Sequence, residues 1–208
     1  EAAASVDLRA GDPRALGFYL DHDRVHVGDN TTCIEDTLAA WNDARRRGLD
    51  CLMLAPTRGL VAQLNARARS QRLDGRTLPA VALRDGNAAS VGDIILTRHN
   101  ARTLRTSGTD WVKNGDRWTV LAVNDGAIRA QHLRSGLTAV LPAGYVAAHV
   151  ELGYASTVHA AQGVTADAAH GIVTGAEDRQ LLYTMLSRGR LENHVHVIAE
   201  SLPAGEEP

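Results

Sequence analysis

The chain has 208 residues, of which 44% are hydrophobic and 22% are charged, so the composition supports a folded core and argues against wholesale disorder. No run of about 18 apolar residues occurs, which excludes a membrane-spanning helix, and the two cysteines, Cys33 and Cys51, are too few for a disulfide framework. We therefore expect a protein of the reducing cytoplasm, with both cysteines buried as small apolar residues.

Positive charge is concentrated in one part of the chain. The net charge is −2, yet the segment from Arg58 to Arg134 holds 13 basic and 6 acidic residues. This clustering is typical of a surface that contacts a phosphate backbone, although arginine-rich codon usage explains the same count.

Lys113 is the only lysine in the sequence. A phosphate-binding P-loop has the pattern GxxxxGK[ST], in which the lysine reaches the terminal phosphates. The sequence around Lys113, Trp-Val-Lys-Asn-Gly, does not fit that pattern. We therefore expect that this chain by itself is not a complete P-loop ATPase and hydrolyses no ATP.

The first third of the sequence predicts an α/β domain. The patterns indicate a short helix within residues 5–20, a helix over 34–47, a buried strand over 51–55 and a helix that follows an N-cap at Thr57 and ends near Leu73. Helix, strand and helix in this order are typical of a layer built on a parallel sheet.

The middle and last parts of the sequence differ in character. Several short strands with close turns predict a small β-barrel over 88–150, and the α/β pattern then returns. The predicted barrel elements are strands at 92–97, 118–123, 127–133 and 137–141, with a polar, arginine-bearing loop from 98 to 115. After the barrel we predict a strand-to-helix unit at 153–163, a strand at 171–174, a helix at 177–188, a strand at 194–199 and a disordered tail.

Two stretches carry chemistry. In Tyr-Ala-Ser-Thr-Val-His-Ala-Ala-Gln-Gly-Val-Thr-Ala-Asp, residues 154–167, hydroxyls at a predicted helix start favour a phosphate site. In Leu-Leu-Tyr-Thr-Met-Leu-Ser-Arg-Gly-Arg, residues 181–190, Arg188 falls at the predicted helix end, where an enzyme can hold a guanidinium against a phosphoryl group. An ordinary capped helix and an arginine that stabilises a helix dipole explain the same two patterns.

Together these stretches resemble motifs V and VI of the second motor domain of superfamily 1 DNA helicases, in the RecD-like and TraI/TrwC-type relaxase branch. Leu-Asn-Ala-Arg-Ala-Arg, residues 64–69, is similar to the segment before that branch's insertion, and residues 92–100 and 112–116 resemble its SH3-like insertion. The resemblance implies an α/β, RecA-like domain with a parallel sheet over 31–87 and 151–200, interrupted by an SH3-like barrel over 88–150. Residues 1–30 then resemble the connector from a first motor domain, and 201–208 a disordered tail.

The resemblance also implies residue roles and partners. Arg188 becomes the arginine finger for ATP, with Gln162, Gly163, Arg190 and Arg58 near the nucleotide. Thr157 and His159 contact single-stranded DNA. ATP and Mg²⁺ belong to the complete protein and not to this chain alone, since the P-loop and the Mg²⁺-binding acidic motif of the first motor domain are missing from the sequence. The expected parent is a conjugative relaxase or an exonuclease V alpha-like helicase, and the expected partners are single-stranded DNA and that P-loop domain, with no membrane.

Two other interpretations remain open. A stand-alone nucleic-acid-binding module would use the basic insertion, through Arg98, Arg102 and Arg105, with Trp111 stacking on a base while Trp118 packs in the barrel. A zinc site would use His194 and His196, whose alternation on a strand puts both rings on one face, but no third ligand at a typical spacing stands out.

Overall fold

The computed structural model of the chain describes residues 2–161 and 164–199. The described residues divide into two compact units, one formed by residues 2–64, 156–161 and 164–199 and the other by residues 65–155. The helices of the described part are α1 (Ala2–Ala10), α2 (Ala15–Asp21), α3 (Asn30–Arg46), α4 (Arg58–Leu73), α5 (Ala143–His149) and α6 (Arg179–Met185). Across residues 2–161 and 164–199, no helix combines the length and the apolar character needed to cross a membrane.

The strands are numbered in chain order. They are β1 (Val25–Gly28), β2 (Cys51–Ala55), β3 (Ala80–Ala82), β4 (Ala88–Ser90), β5 (Ile94–Thr97), β6 (Ala101–Arg105), β7 (Trp111–Val112), β8 (Arg117–Asn124), β9 (Ala127–His132), β10 (Thr138–Leu141), β11 (Val150–Leu152), β12 (Ala155–Thr157), β13 (Ala166–Val173) and β14 (Gly189–Ile198).

The first unit is built on a five-stranded sheet with the order β1-β14-β13-β2-β12. The pairs β1/β14, β14/β13 and β13/β2 are parallel. This confirms the predicted parallel α/β layer, and all five residues of the predicted strand β2 are buried. The chain adds β1, which the sequence patterns did not predict, as an edge strand.

Local capping explains where the long helices begin. The Asp29 carboxylate accepts a hydrogen bond of 2.8 Å from the Thr32 amide, so α3 starts at Asn30, four residues before the predicted start. The Thr57 hydroxyl accepts a hydrogen bond of 3.2 Å from the Leu60 amide, which confirms the predicted cap of α4. Near the N-terminus the single predicted helix is instead two, α1 and α2.

The two faces of this sheet have different coverings. Helix α3 packs against β13, β14, β2 and β1. A cluster of buried residues from α1, α2 and α6 packs with the opposite side chains of the strands, among them Leu8, Tyr19, Leu52, Ala169 and Val195. Residues 4–25 thus contribute core side chains to the first unit.

The second unit contains a five-stranded antiparallel sheet with the order β10-β9-β8-β5-β11. The predicted hairpin between β8 and β9 is confirmed: Asp125 and Gly126 adopt φ angles of 47° and 80°, as a tight primed turn requires. Trp118 is 1% exposed and lies in the core, as expected. The predicted loop 98–115 is not fully irregular, since β6 and β7 pair as a small antiparallel ribbon.

A buried carboxylate, Asp93, organises one end of this unit. It is fully buried and accepts hydrogen bonds from the Nε atoms of Arg69 (3.0 Å) and Arg72 (2.7 Å) and from the Tyr154 hydroxyl. The Ser90 amide adds a fourth bond of 2.7 Å. Burial and the neighbouring Asp93 charge raise the pKa of Tyr154 above its usual value. The arginines that precede the insertion therefore have a structural role.

We expect Asp93→Ala to destabilise the second unit by about 3–5 kcal/mol, because it leaves two half-buried guanidinium groups without their carboxylate. Urea unfolding followed by tryptophan fluorescence measures this loss. Arg134→Ala, at an exposed turn position, is the matched control and should change stability by less than about 0.5 kcal/mol. Equal stabilities of the two variants would contradict a structural role for the Asp93 cluster.

Candidate functional site

The stretch 154–167 does not form the predicted strand-to-helix unit. Residues Ala155–Thr157 are strand β12, and His159–Ala161 form a single 3₁₀ turn in which Thr157 Oγ1 accepts the Ala160 amide at 3.3 Å. Ser156 is 4% exposed because it lies inside the strand, so the predicted pair of hydroxyls at a helix start is wrong. Thr157 remains partly exposed and His159 is exposed.

Gln162 and Gly163 lie outside the described residues. Beyond these two residues, the Ala166 amide donates a hydrogen bond of 3.0 Å to the Arg188 carbonyl. The two motif-bearing stretches, separated by about twenty residues in sequence, thus meet where β13 and β14 begin.

Helix α6 is shorter than predicted. It spans Arg179–Met185 after an N-cap at Asp178, whose carboxylate accepts the Leu181 amide at 2.8 Å. Arg188 therefore follows the helix and does not lie in its last turn. Its half-buried guanidinium donates from Nε to the Thr184 carbonyl (3.2 Å) and from one terminal nitrogen to Ser187 Oγ (3.2 Å).

Gly189 fixes the backbone next to Arg188. A Cβ at this position would lie 2.1 Å from the Glu192 carbonyl oxygen, so a larger residue would displace the start of β14. The Asn193 side chain bonds both the amide (2.7 Å) and the carbonyl (2.9 Å) of Gly189. A polar clamp of backbone and side chain thus sets the position from which Arg188 extends.

The other two arginines predicted to contact the nucleotide, Arg190 and Arg58, have different surroundings. Arg190 forms an ion pair with Asp167, whose second oxygen accepts the Asp50 amide at 2.9 Å. Arg190 is therefore partly neutralised. Arg58 is exposed at the first position of α4, directly after the carboxyl end of β2.

The predicted residues of the basic insertion do not form one free patch. Arg98 is 20% exposed and pairs with Glu151 at 2.7 Å. Arg102 lies over the Trp111 ring, 5.4 Å from its centroid, and the Lys113 ammonium lies 5.5 Å from it. Arg105 is exposed and donates to the Gly108 carbonyl at 3.0 Å. The half-buried Trp111 is therefore flanked by two cations.

Histidines cluster under α3. His26 (β1), His170 (β13), His194 and His196 (β14) lie with ring centroids 4.8 to 5.9 Å apart; three of the ring pairs are stacked, and the His170–His196 pair is tilted. His194 and His196 share one face, as predicted, but no group of three or more metal-ligating side chains in the described part of the chain is arranged to hold a metal. Burial, together with the charges of the neighbouring histidines, lowers the pKa of His170 to about 2 and that of His196 to about 3.

A pocket of about 900 Å³ opens beside α6. Its lining includes Arg9 from α1, His159 from the 3₁₀ turn, and Arg179, Gln180, Tyr183 and Thr184 from α6. Sequence reasoning identified only His159 among these residues. The Arg9 guanidinium lies 5.9 Å from the centre of the Tyr183 ring, a contact between distant segments that no local pattern signals.

Asn65 is a second residue whose role the sequence did not reveal. It is 3% exposed, and its side chain accepts the Ala155 amide at 2.9 Å and donates to the Leu152 carbonyl at 3.4 Å. A polar residue on the apolar side of α4, one position after the fully buried Leu64, was the available signal. Asn65 thereby anchors the chain just before β12.

Two family models match the chain. The Rv2311 SH3-like barrel domain matches residues 81–151, and the UvrD-like helicase C-terminal domain matches residues 152–196. The second match contains the 3₁₀ turn, α6 and Arg188.

Two relatives are similar to the chain in sequence. The uncharacterized protein Rv2311 of Mycobacterium tuberculosis (strain ATCC 25618 / H37Rv) is 34% identical over 128 residues, which are 61% of this chain and 68% of that protein. A probable conjugal transfer protein TraA of Sinorhizobium fredii (strain NBRC 101917 / NGR234) is 27% identical over 209 residues, which cover 95% of this chain and 18% of TraA.

Solved structures of Pif1 helicases share the fold. Bacteroides sp. Pif1 in complex with ADP-AlF4 aligns with a TM-score of 0.54 and 15% identity over 96% of this chain and 49% of Pif1. Bacteroides Pif1 in complex with ADP-AlF3 and ssDNA aligns with a TM-score of 0.52 and 19% identity, over 72% of this chain and 42% of Pif1. The chain thus spans less than half of these structures, and the expected RecA-like fold with an SH3-like barrel is confirmed.

Proposed function

We propose that this chain is the C-terminal motor domain of a superfamily 1 DNA helicase and that it supplies the arginine finger and the single-stranded DNA contacts of an ATP-driven DNA translocase. A P-loop-bearing first motor domain would bind the ATP and its Mg²⁺. The similarity to a probable conjugal transfer protein supports a conjugative parent.

The observation that carries this proposal is the meeting of the two motif stretches. The Ala166 amide bonds the Arg188 carbonyl at 3.0 Å, so the backbone just after Gln162 and Gly163 is tied to the backbone of the proposed finger. A change of position in one stretch is therefore transmitted to the other. Coupling of this kind is what a motor needs between its nucleotide and its DNA track.

The residues of this chain would act by positioning charge. The Thr184 carbonyl and Ser187 Oγ hold Nε and one terminal nitrogen of Arg188 and leave the second terminal nitrogen for a phosphate oxygen. A planar guanidinium placed in this way stabilises the charge that develops on a transferring phosphoryl group. Thr157 and His159, both accessible, would contact the DNA backbone.

A complementation assay tests the proposal. We expect no ATP hydrolysis above background from this chain alone, and hydrolysis that depends on single-stranded DNA when it is joined to the P-loop-bearing first motor domain of a superfamily 1 helicase. The first motor domain without this chain is the control. A joined protein no more active than that control would refute the proposal.

A stand-alone nucleic-acid-binding module is a second candidate function. The mycobacterial relative favours it, since 128 residues make up 68% of that protein, which is therefore shorter than the present chain. In this case the second unit would bind single strands by itself, with Trp111 and its flanking cations as the contact.

Under this second candidate, the arginines of the insertion should differ in effect. We expect Arg105→Ala to weaken binding of labelled oligothymidylate and to lower the slope of log K against log salt by about one, as loss of one phosphate contact does. Arg98→Ala should leave that slope unchanged, because Glu151 already neutralises Arg98. Salt titrations by fluorescence anisotropy measure both, and identical slopes for the two variants would count against an insertion-based module.

A further inference from the structure

The lining of the pocket beside α6 includes Arg9, His159, Arg179, Gln180, Tyr183 and Thr184, and of these residues only His159 has a DNA-contacting role in the proposed function; we call it the α6 pocket. We propose that it receives one nucleotide of single-stranded DNA, with the phosphate on Arg9 and Arg179 and the base on Tyr183, and that α6 relays its occupancy to Arg188. This inference rests on the proposed function and adds the place where DNA acts on the finger.

The charge of the α6 pocket suits a phosphate. Arg9 and Arg179 are both exposed, and His159 lies on the same rim. The acidic group at the pocket, Asp178, has its carboxylate turned to its own helix, where it accepts the Leu181 amide at 2.8 Å. Arg179 is steadied by a bond of 3.3 Å from its guanidinium to the Ala10 carbonyl, which leaves its other donors for a ligand.

The aromatic residue suits a base. Tyr183 is half-buried, so its position is held by the core cluster that it packs against while part of the ring stays accessible. The Arg9 guanidinium lies 5.9 Å from the ring centroid, so it can also contact a base that stacks on Tyr183. A pocket of about 900 Å³ is larger than one nucleotide needs, so a continuing strand can enter and leave it.

One residue joins the α6 pocket to the finger. Thr184 lines the pocket, and its carbonyl accepts the Nε of Arg188 at 3.2 Å and the Ser187 hydroxyl at 3.3 Å. The Thr184 hydroxyl donates to the Gln180 carbonyl at 2.8 Å, which locks its orientation within the helix. Because α6 has only seven residues, a ligand that shifts Tyr183 or Thr184 also shifts the group that holds Arg188.

Binding of fluorescein-labelled oligothymidylate to the chain tests the site. We expect Arg9→Gln to weaken binding about tenfold and to lower the salt slope by about one, since it removes a phosphate contact. Tyr183→Leu, which keeps apolar bulk in the core, should weaken binding by a similar factor without changing the salt slope. Arg14→Gln is the matched control, because Arg14 is exposed and already paired with Asp12, and it should bind like the unmodified chain.

The relay is tested in the joined protein at saturating DNA. We expect Tyr183→Leu to lower the DNA-stimulated kcat, which the control Arg14→Gln should leave unchanged. Oligothymidylate binding that is unaffected by both Arg9→Gln and Tyr183→Leu would overturn the α6 pocket even if the joined protein hydrolyses ATP. Pocket-dependent binding without any ATPase in the joined protein would instead refute the proposed function and leave the site standing. A full DNA-stimulated kcat in Tyr183→Leu would refute the relay alone.

Discussion

Arg188→Ala in the joined protein should lower ATP turnover by a factor on the order of 10³, with little change in DNA affinity. The loss follows from the geometry of the guanidinium, which is anchored through two of its nitrogens to Thr184 and Ser187 and presents the third. A group held in this way contributes mainly when charge develops on the phosphoryl group, so kcat should fall more than the nucleotide KM rises. Steady-state hydrolysis with saturating single-stranded DNA measures the effect.

Neighbouring variants separate the finger from a general effect of charge. Arg190→Ala should cost much less turnover, because Arg190 is already paired with Asp167. Arg188→Lys should not restore the rate, since an ammonium cannot make the two anchoring bonds and also reach a phosphate. Thermal unfolding of each variant checks that the fold is retained. Unchanged turnover in Arg188→Ala, or a larger loss in Arg190→Ala than in Arg188→Ala, would contradict the assignment.

The sequence predicted the parallel sheet and the barrel well because their signals are local. Continuous burial marks β2, a side-chain cap marks the start of α4, and Asn-Asp-Gly marks the hairpin after β8. The sequence patterns did not predict strand β1, because Val25–Gly28 is short and has a histidine between its two valines. This segment becomes a strand by pairing with β14. Helix α6 was predicted too long, because the apolar pattern continues past Met185. In the structure the chain leaves the helix there, and the Arg188 carbonyl accepts a hydrogen bond from the Ala166 amide.

The candidate site was predictable only where a motif carries it. Arg188, Thr157 and His159 stand in stretches with recognisable spacing, whereas Arg9 and Tyr183 meet only through the packing of α1 on α6. The pairing of Arg98 with Glu151, more than fifty residues away, is likewise invisible in the local sequence. Local patterns therefore identify residue types, and long-range contacts decide which of them are free to bind.

We expect the histidine cluster to make the first unit sensitive to acid. His170 and His196 are 2% and 1% exposed, and none of their ring nitrogens has a hydrogen-bond partner within residues 2–161 and 164–199. Burial lowers their pKa values to about 2 and about 3, so both stay neutral in the folded protein at pH 5. Arg24, which contacts His194 Nε2 at 2.5 Å, adds positive charge beside the cluster, and Glu192, paired with Arg24 at 3.5 Å, offsets part of it.

We expect the free energy of unfolding to fall by about 2 kcal/mol per buried histidine, or about 4 kcal/mol for His170 and His196 together, between pH 7 and pH 5. The sign follows from linkage. In the unfolded chain these two histidines bind protons below a pKa of about 6.5, whereas in the folded chain His196 does so only near pH 3 and His170 only near pH 2. The stability present at neutral pH is therefore lost as pH falls between those values. Urea unfolding at a series of pH values, followed by circular dichroism, measures the loss.

Replacing one histidine should remove its share of this dependence. His196→Leu is expected to lower the pH 7 to pH 5 difference by about 2 kcal/mol, because one fewer proton separates the two states. Ile172→Val, at the position paired with His196 across the strands, is the matched control: it perturbs the same packing by about 1 kcal/mol, equally at both pH values. If the curve of His196→Leu ran parallel to that of the unmodified chain, the buried imidazoles would not be the source of the acid sensitivity, and exposed carboxylates would have to account for it.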